Sequence, residues 1–244
     1  GSATGISESK VNQYKGEAFF MLGFAYCELT AYYGDCVLNK GMTLDEAYVA
    51  TRSPKSEVLA YAFECLDKAA EFLPDSYKGQ QRPTKGAALG FKARFALFHK
   101  DWQTAVDAAQ KCMDLGVYKL HDNYREMFQA SSSPEFMFYF KGDLTLKKGY
   151  GFMENVRDFV IRKIGGHCNQ SPSLELLCSY TCTDGLPIDK SPLYNPKDPF
   201  ANRDPRLAMT IQPFKTKYSA DYAEYEQSKK DGTFPEKYPD YITL

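Results

Sequence analysis

Few residues in this chain have types and spacing that bear on chemistry. His167 beside Cys168 pairs a base with a nucleophile by type, but side chains adjacent in sequence rarely meet in the geometry that activation of a thiol needs. Cys168, Cys178 and Cys182 with His167 can be drawn as a zinc set, yet the Cys-x-x-x-Cys spacing has no second matching pair. Asp184 and Asp189 flank a Gly-Leu-Pro-Ile stretch without the alternating oxygen ligands of a calcium loop, so a turn is the expectation there. No Gly-x-Ser-x-Gly elbow and no glycine-rich phosphate loop occurs. A carboxylate pair for glycoside hydrolysis is defined by its separation across the fold, which spacing in sequence does not give. No catalytic residue, metal site or cofactor is nominated from these residues.

The elements that position these residues follow from composition and periodicity. The chain has 244 residues, 43% hydrophobic and 25% charged, enough for a sizeable core. A formal net charge of -1 gives no electrostatic footprint for nucleic acid or an anionic lipid surface. Aromatics make up 15%, almost all Tyr (18) and Phe (17), with one Trp. The seven cysteines are odd in number and follow no framework, so mostly free thiols are expected; Cys27, Cys65 and Cys112 fall in apolar helical stretches as small buried hydrophobes. No apolar run is long enough to cross a bilayer, no signal peptide is present, and Gly1-Ser2 reads as a cloning scar.

From about residue 7 to 120 the pattern predicts helical hairpins. Phe19, Leu22, Tyr26, Leu29 and Tyr33 recur at helical spacing and Gly34-Asp35 ends that helix. Ser53-Pro54 reads as the start of a second, with Leu59, Ala62, Phe63, Leu66 and Leu73 as its stripe before Pro74. Thr84 caps a third, with Ala88, Phe91, Phe95 and Phe98 facing inward. After the short His99-Lys100 link, Asp101 caps a fourth, whose inner line is read as Trp102, Ala105, Val106, Ala109 and Met113 up to Gly116. A two-residue link forces close antiparallel neighbours, a tetratricopeptide-type unit that must stack on others. Beyond 120, residues 135 to 140 are a short aromatic strand candidate, Asp184-Gly185 a tight turn, 187 to 206 an ordered proline-rich loop and 220 to 230 a solvated helix.

Four stretches in order carry a resemblance. Residues 15 to 35, KGEAFFMLGFAYCELTAYYGD, resemble the G-E-A…Y-G-D helix of the SusD-like (RagB/SusD) family, with Met21-Leu22-Gly23 where Leu-Arg-Ala is usual. Arg52 to Pro74 resembles the segment that runs through a Glu-Val pair into a helix ending Ala-x-x-Leu-Pro. Residues 82 to 120 are similar to the family's T-K-G-A-A helix, its W-x-x-A helix and a closing G-x-Y-x-L. Residues 184 to 211 resemble its D-G-x-P-I-D, Y-x-P-x-x-P-F and R-D-P-R-L in register. Members begin with a lipidated cysteine and further helices and continue past the present last residue, so the chain is expected to be a piece lacking both ends.

The resemblance implies a mainly α fold: a superhelix of tetratricopeptide-like hairpins (1–120) with a loop-rich portion containing short strands (121–244) packed on it as one structural unit. It implies a cell-surface, lipid-anchored outer-membrane protein that binds oligosaccharide or polysaccharide and passes it to a SusC-like TonB-dependent transporter. The alternative is a tetratricopeptide-type scaffold that binds protein and no sugar. Glycans are held by aromatic faces and convergent polar groups. The candidates are therefore the loop aromatics Tyr150, Phe152 and Tyr194 with the polar neighbours His167, Asn169 and Asn195, each with the opposing reading of a loop anchor. Helix-borne Phe91, Phe95 and Trp102 read as core. Arg203, Asp204 and Arg206 read as structural, since guanidinium groups fork onto carboxylates or loop carbonyls.

Overall fold

In a computed structural model, residues 5–77, 82–128, 130, 132–139, 158, 167, 169–211 and 213 are described. The chain divides into two compact units, Gly1–Leu120 with Ser132–Lys141, and His121–Ser131 with Gly142–Leu244.

The first unit is helical because its start and stop signals are strong. Helix α1 (Glu8–Tyr33) begins at Ser7, whose hydroxyl accepts from Lys10 N, and ends at Gly34, whose φ of 73° is open to glycine. A short α2 (Leu44–Val49) carries a full capping box between Thr43 and Glu46. Helix α3 (Lys55–Phe72) starts one residue later than the Ser53-Pro54 reading implies and has no cap from its own side chains. Its first amide, Lys55 N, instead donates to Asp35 Oδ1 at 2.8 Å, so the Gly-Asp pair that ends α1 also begins α3. Thr84 and Asp101 cap α4 (Lys85–Phe98) and α5 (Trp102–Asp114) through Ala87 N and Thr104 N. Lys100, in the link, takes the left-handed φ of 64°.

Helices α1 and α3, α3 and α4, and α4 and α5 pack in sequence. The α1–α3 approach is close because α1 lacks side chains where α3 crosses it. A Cβ on Gly23 would stand 2.8 Å from Leu66 Cγ and 2.9 Å from the Ala62 carbonyl, and one on Gly16 would meet Leu73 at 2.8 Å. Gly23 is thus a packing residue. Phe20, Val58, Ala62, Leu66, Ala69 and Ala88 are fully or almost fully buried, each large one contributing about 1.5–3 kcal/mol. Phe91 meets Phe20 at 5.6 Å and Phe24 at 5.1 Å, edge to face.

The faces differ from the sequence reading in three helices. The buried face of α5 is Ala105, Ala108 and Cys112, while Trp102, Val106 and Met113 are each more than half exposed. In α4 Phe95 is buried as expected, Phe91 packs partly buried against the core, but Phe98 faces solvent; in α1 Tyr33 does the same. A helix pressed tightly on its neighbour presents its smallest residues, and the large ones are displaced to the outside.

In the second unit α6 (Tyr124–Met127) contacts α8 (Pro205–Thr210), and α7 (Leu174–Ser179) is capped by Ser173. Extended pairing among the described residues is limited to two isolated antiparallel bridges, Cys36 with Ser53 and Cys182 with Arg203. The strand candidate at 135 to 140 forms turns over its described residues, with Phe136 N donating to Ser133 O. The helix read at 220 to 230 lies outside the described residues. None of the described helices is long and apolar enough to cross a membrane.

Candidate functional site

The first unit contains a cleft of about 470 Å³, within the range of small-ligand sites. Three segments distant in sequence form it: the α3–α4 connection, the chain after α5, and residues 132–139. Gly116, with a φ of 62°, turns the chain out of α5 toward Tyr118, and Lys119 N donates to Pro134 O at 3.2 Å, tying the second segment to the third. Phe138 anchors that third segment by meeting Phe20 edge-on at 5.2 Å.

Tyr118 sits where α4 has no side chain. A Cβ on Gly86 would lie 2.1 Å from its Cε2 and 2.5 Å from its hydroxyl. That hydroxyl bonds Thr84 Oγ1 at 2.7 Å, and the same Thr84 oxygen accepts from Ala87 N. Burial pushes the Tyr118 phenol up, so it stays protonated. One turn along α4, Gly90 receives Met137, whose sulfur stands 2.9 Å from the position of a Cβ. Phe136 and Tyr139 tilt against each other at 5.0 Å. The cleft is thus walled by aromatic rings, with hydroxyls from Ser132 and Ser133 and the two charged groups Asp75 and Arg82. Both charges are paired: Arg82 Nη1 donates to both Glu17 oxygens at 2.8 and 2.6 Å, and Lys85 meets Asp75 at 3.3 Å. Such a wall stacks on apolar ring faces and exchanges hydrogen bonds with hydroxyls. The wall has one carboxylate among its described residues, whereas hydrolysis of a glycosidic bond uses two.

The residues predicted from sequence fall in the second unit. Tyr150 and Phe152 lie outside the described residues. His167 and Asn169 are brought together by Asp158: His167 Nδ1 lies 3.3 Å from Asp158 Oδ1, to which Asn169 Nδ2 donates at 2.9 Å. Tyr194 and Asn195 belong to a different cluster, centred on buried Arg203. The Arg203 guanidinium lies 5.5 Å from the centre of the Tyr194 ring, and Asn195 Oδ1 accepts from Lys197 N in a local turn. Arg203 donates to the carbonyls of Pro199, Leu177 and Tyr180 at 2.8, 2.6 and 2.8 Å. Arg206 pairs with Asp204, the cap of α8, and Asp184 closes its own turn on Leu186 N and Ser191 Oγ. The R-D-P-R and D-G-x-P motifs therefore build the loop.

The six described cysteines are free. Burial pushes the Cys27 thiol up to about 12 and raises Cys65 and Cys112, which makes them poor nucleophiles. Among the described residues no three His, Cys, Asp or Glu side chains gather as a metal site.

The cleft residues Tyr77, Tyr118, Phe136 and Tyr139 were not singled out from sequence. One signal for them exists: glycine in the first turn of a helix is costly unless something approaches closely, and Gly86 holds that place.

A family model described as starch-binding and associating with the outer membrane matches residues 3–97. A SusD-like protein of Formosa agariphila is 26% identical over 154 residues, covering 59% of this chain and 30% of that protein. Among solved structures, a SusD-like carbohydrate-binding protein of Bacteroides fragilis superposes with a TM-score of 0.71 at 27% identity, over 85% of this chain and 41% of the other. A second SusD-like protein of that organism gives 0.70 at 25%, over 84% and 44%. The chain thus spans 30 to 44% of the length of these relatives.

Proposed function

We propose that this chain is a member of the SusD-like family, a reading supported by the family model over residues 3–97 and by the similar structures, and that it captures oligosaccharide or polysaccharide at the outer-membrane surface without cleaving it. In this reading the whole protein is held by a lipid anchor and hands its glycan to a SusC-like TonB-dependent transporter. A carrier over a transporter needs reversible binding, and the aromatic-walled cleft of the first unit is the observation that carries the proposal. Its rings offer stacking faces, its hydroxyls offer donors and acceptors, and its single described carboxylate is paired with Lys85. Starch, which the description of the matching family names, is the first ligand to try.

The test is retardation of the chain in native gels cast with starch and with other polysaccharides, followed by alanine substitution. Loss of retardation in Tyr118→Ala and Tyr139→Ala places the glycan in the cleft. Loss in Tyr150→Ala, Phe152→Ala, His167→Ala, Asn169→Ala, Tyr194→Ala or Asn195→Ala places it in the loops of the second unit instead. Absence of retardation by every polysaccharide, or release of reducing ends on incubation, refutes capture without turnover.

A further inference from the structure

The cleft has a feature that aromatic walls alone do not require: its two charged groups are each neutralised from within the fold. Arg82 is the one cation among the described lining residues, and its Nη1 spans both oxygens of Glu17. Glu17 is on α1, outside the lining, and is held in turn by Gln13 Nε2 at 2.7 Å; Gln13 is held by Lys10 Nζ at 2.9 Å. A run of four side chains therefore fixes the carboxylate against the guanidinium before any ligand arrives. Asp75, the one anion among those residues, is matched by Lys85. An incoming sulfate or carboxylate would have to take Arg82 from a partner already in place, next to the negative charges of Glu17 and Asp75. An uncharged sugar has no such competitor, because its hydroxyls pair with hydroxyls and phenols and its ring carbons stack on aromatic faces.

We infer that the cleft selects uncharged sugar chains against sulfated or uronate-bearing ones, and that Glu17 sets this preference by occupying Arg82. The inference rests on the capture of glycans proposed above and names the class of glycan. Glu17 is a specificity-determining residue that acts through another. Replacing it with glutamine keeps the shape, removes the charge and leaves Arg82 open to an anion.

The experiment uses the full chain and matched polymers: starch, xylan and mannan, each beside its own sulfated derivative, with dissociation constants from affinity gels. The wild-type chain is expected to bind an uncharged member more tightly than its sulfated form. Glu17→Gln is expected to raise the preference for the sulfated form by about ten- to a hundredfold, the worth of one charge-assisted hydrogen bond. That gain disappears in about 1 M salt and in the double variant Glu17→Gln/Arg82→Gln. Asp75→Asn, at an exposed position, frees Lys85 and is expected to shift the preference in the same direction. Equal or tighter wild-type binding of sulfated polymers overturns the inference while leaving capture standing. So does an unchanged preference in both Glu17→Gln and Asp75→Asn. Binding of no polymer in either form overturns capture itself, and this inference with it.

Discussion

Gly86→Ala is the substitution that most directly tests how the cleft is built. The new methyl would stand 2.1, 2.6 and 2.5 Å from Cε2, Cζ and the hydroxyl oxygen of Tyr118, where carbon atoms normally rest about 3.5–4.0 Å apart. The ring has to retreat by about 1–1.5 Å, which breaks its 2.7 Å bond to Thr84. The lost hydrogen bond costs about 1 kcal/mol and the forced repacking about 1–3 kcal/mol. Alanine returns at most about 1 kcal/mol of helix propensity. The net expectation is a loss of about 1–3 kcal/mol together with weaker glycan retardation, since Tyr118 leaves the wall. Equilibrium urea unfolding of wild type, Gly86→Ala, Tyr118→Ala and the double variant isolates the cause. With the ring gone, alanine at 86 is expected to be neutral or stabilising, giving a coupling of about 1–3 kcal/mol. An equal cost of Gly86→Ala in both backgrounds refutes the argument that Gly86 exists to admit Tyr118.

Three further outcomes follow from the same geometry. Gly23→Ala meets a backbone carbonyl and should destabilise by about 1–3 kcal/mol, whereas Gly90→Ala meets only the flexible end of Met137 and should cost less than about 1 kcal/mol; urea midpoints rank the two. Arg203→Met strands three carbonyls that the guanidinium now serves, and should cost about 2–4 kcal/mol, read as faster amide exchange between residues 177 and 204. Acid weakens the fold in two stages, because every group concerned has a folded pKa below its ordinary value, so its stabilisation is present at higher pH and lost as pH falls. Half-buried His99, beside Lys55, loses its contribution below about pH 6.5. Glu46, Asp101, Asp184 and Asp204, held down by hydrogen bonds from their capping and turn partners or from Arg206, follow below about pH 4. Thermal melts at stepped pH should show both stages in wild type and only the second in His99→Gln.

The helices were legible where the signal is local. Thr84, Asp101, Gly34 and Gly116 each act on amides or carbonyls within a few residues, and each stands where sequence placed it. The start of α3 was not, because Asp35 caps it from 20 residues away. Helix faces were read least well. Periodicity finds the stripe of largest apolar volume, and in α5 that stripe, Trp102, Val106 and Met113, points outward. The contact stripe is instead the one with the least volume, Ala105, Ala108 and Cys112, because two helices joined by His99-Lys100 can approach closely only along small residues.

The same physics explains why the loop was readable and the cleft was not. Arg203 and Arg206 carry five-donor groups whose geometry dictates what they bind, so a structural role follows from residue type alone. The cleft is assembled from residues at 75–77, 82–84, 117–118 and 132–139, and no spacing rule connects them. What does connect them is absence: α4 omits a side chain at Gly86 and again at Gly90, one turn apart on one face, and Tyr118 and Met137 fill the two gaps. A glycine in a helix costs about 1 kcal/mol relative to alanine, and two on the same face are best explained by the pieces that dock there. The glycine of the T-K-G-A-A stretch therefore shapes the cleft by setting how deeply Tyr118 sits. Under the proposed function, that depth governs how wide an opening remains for a sugar ring.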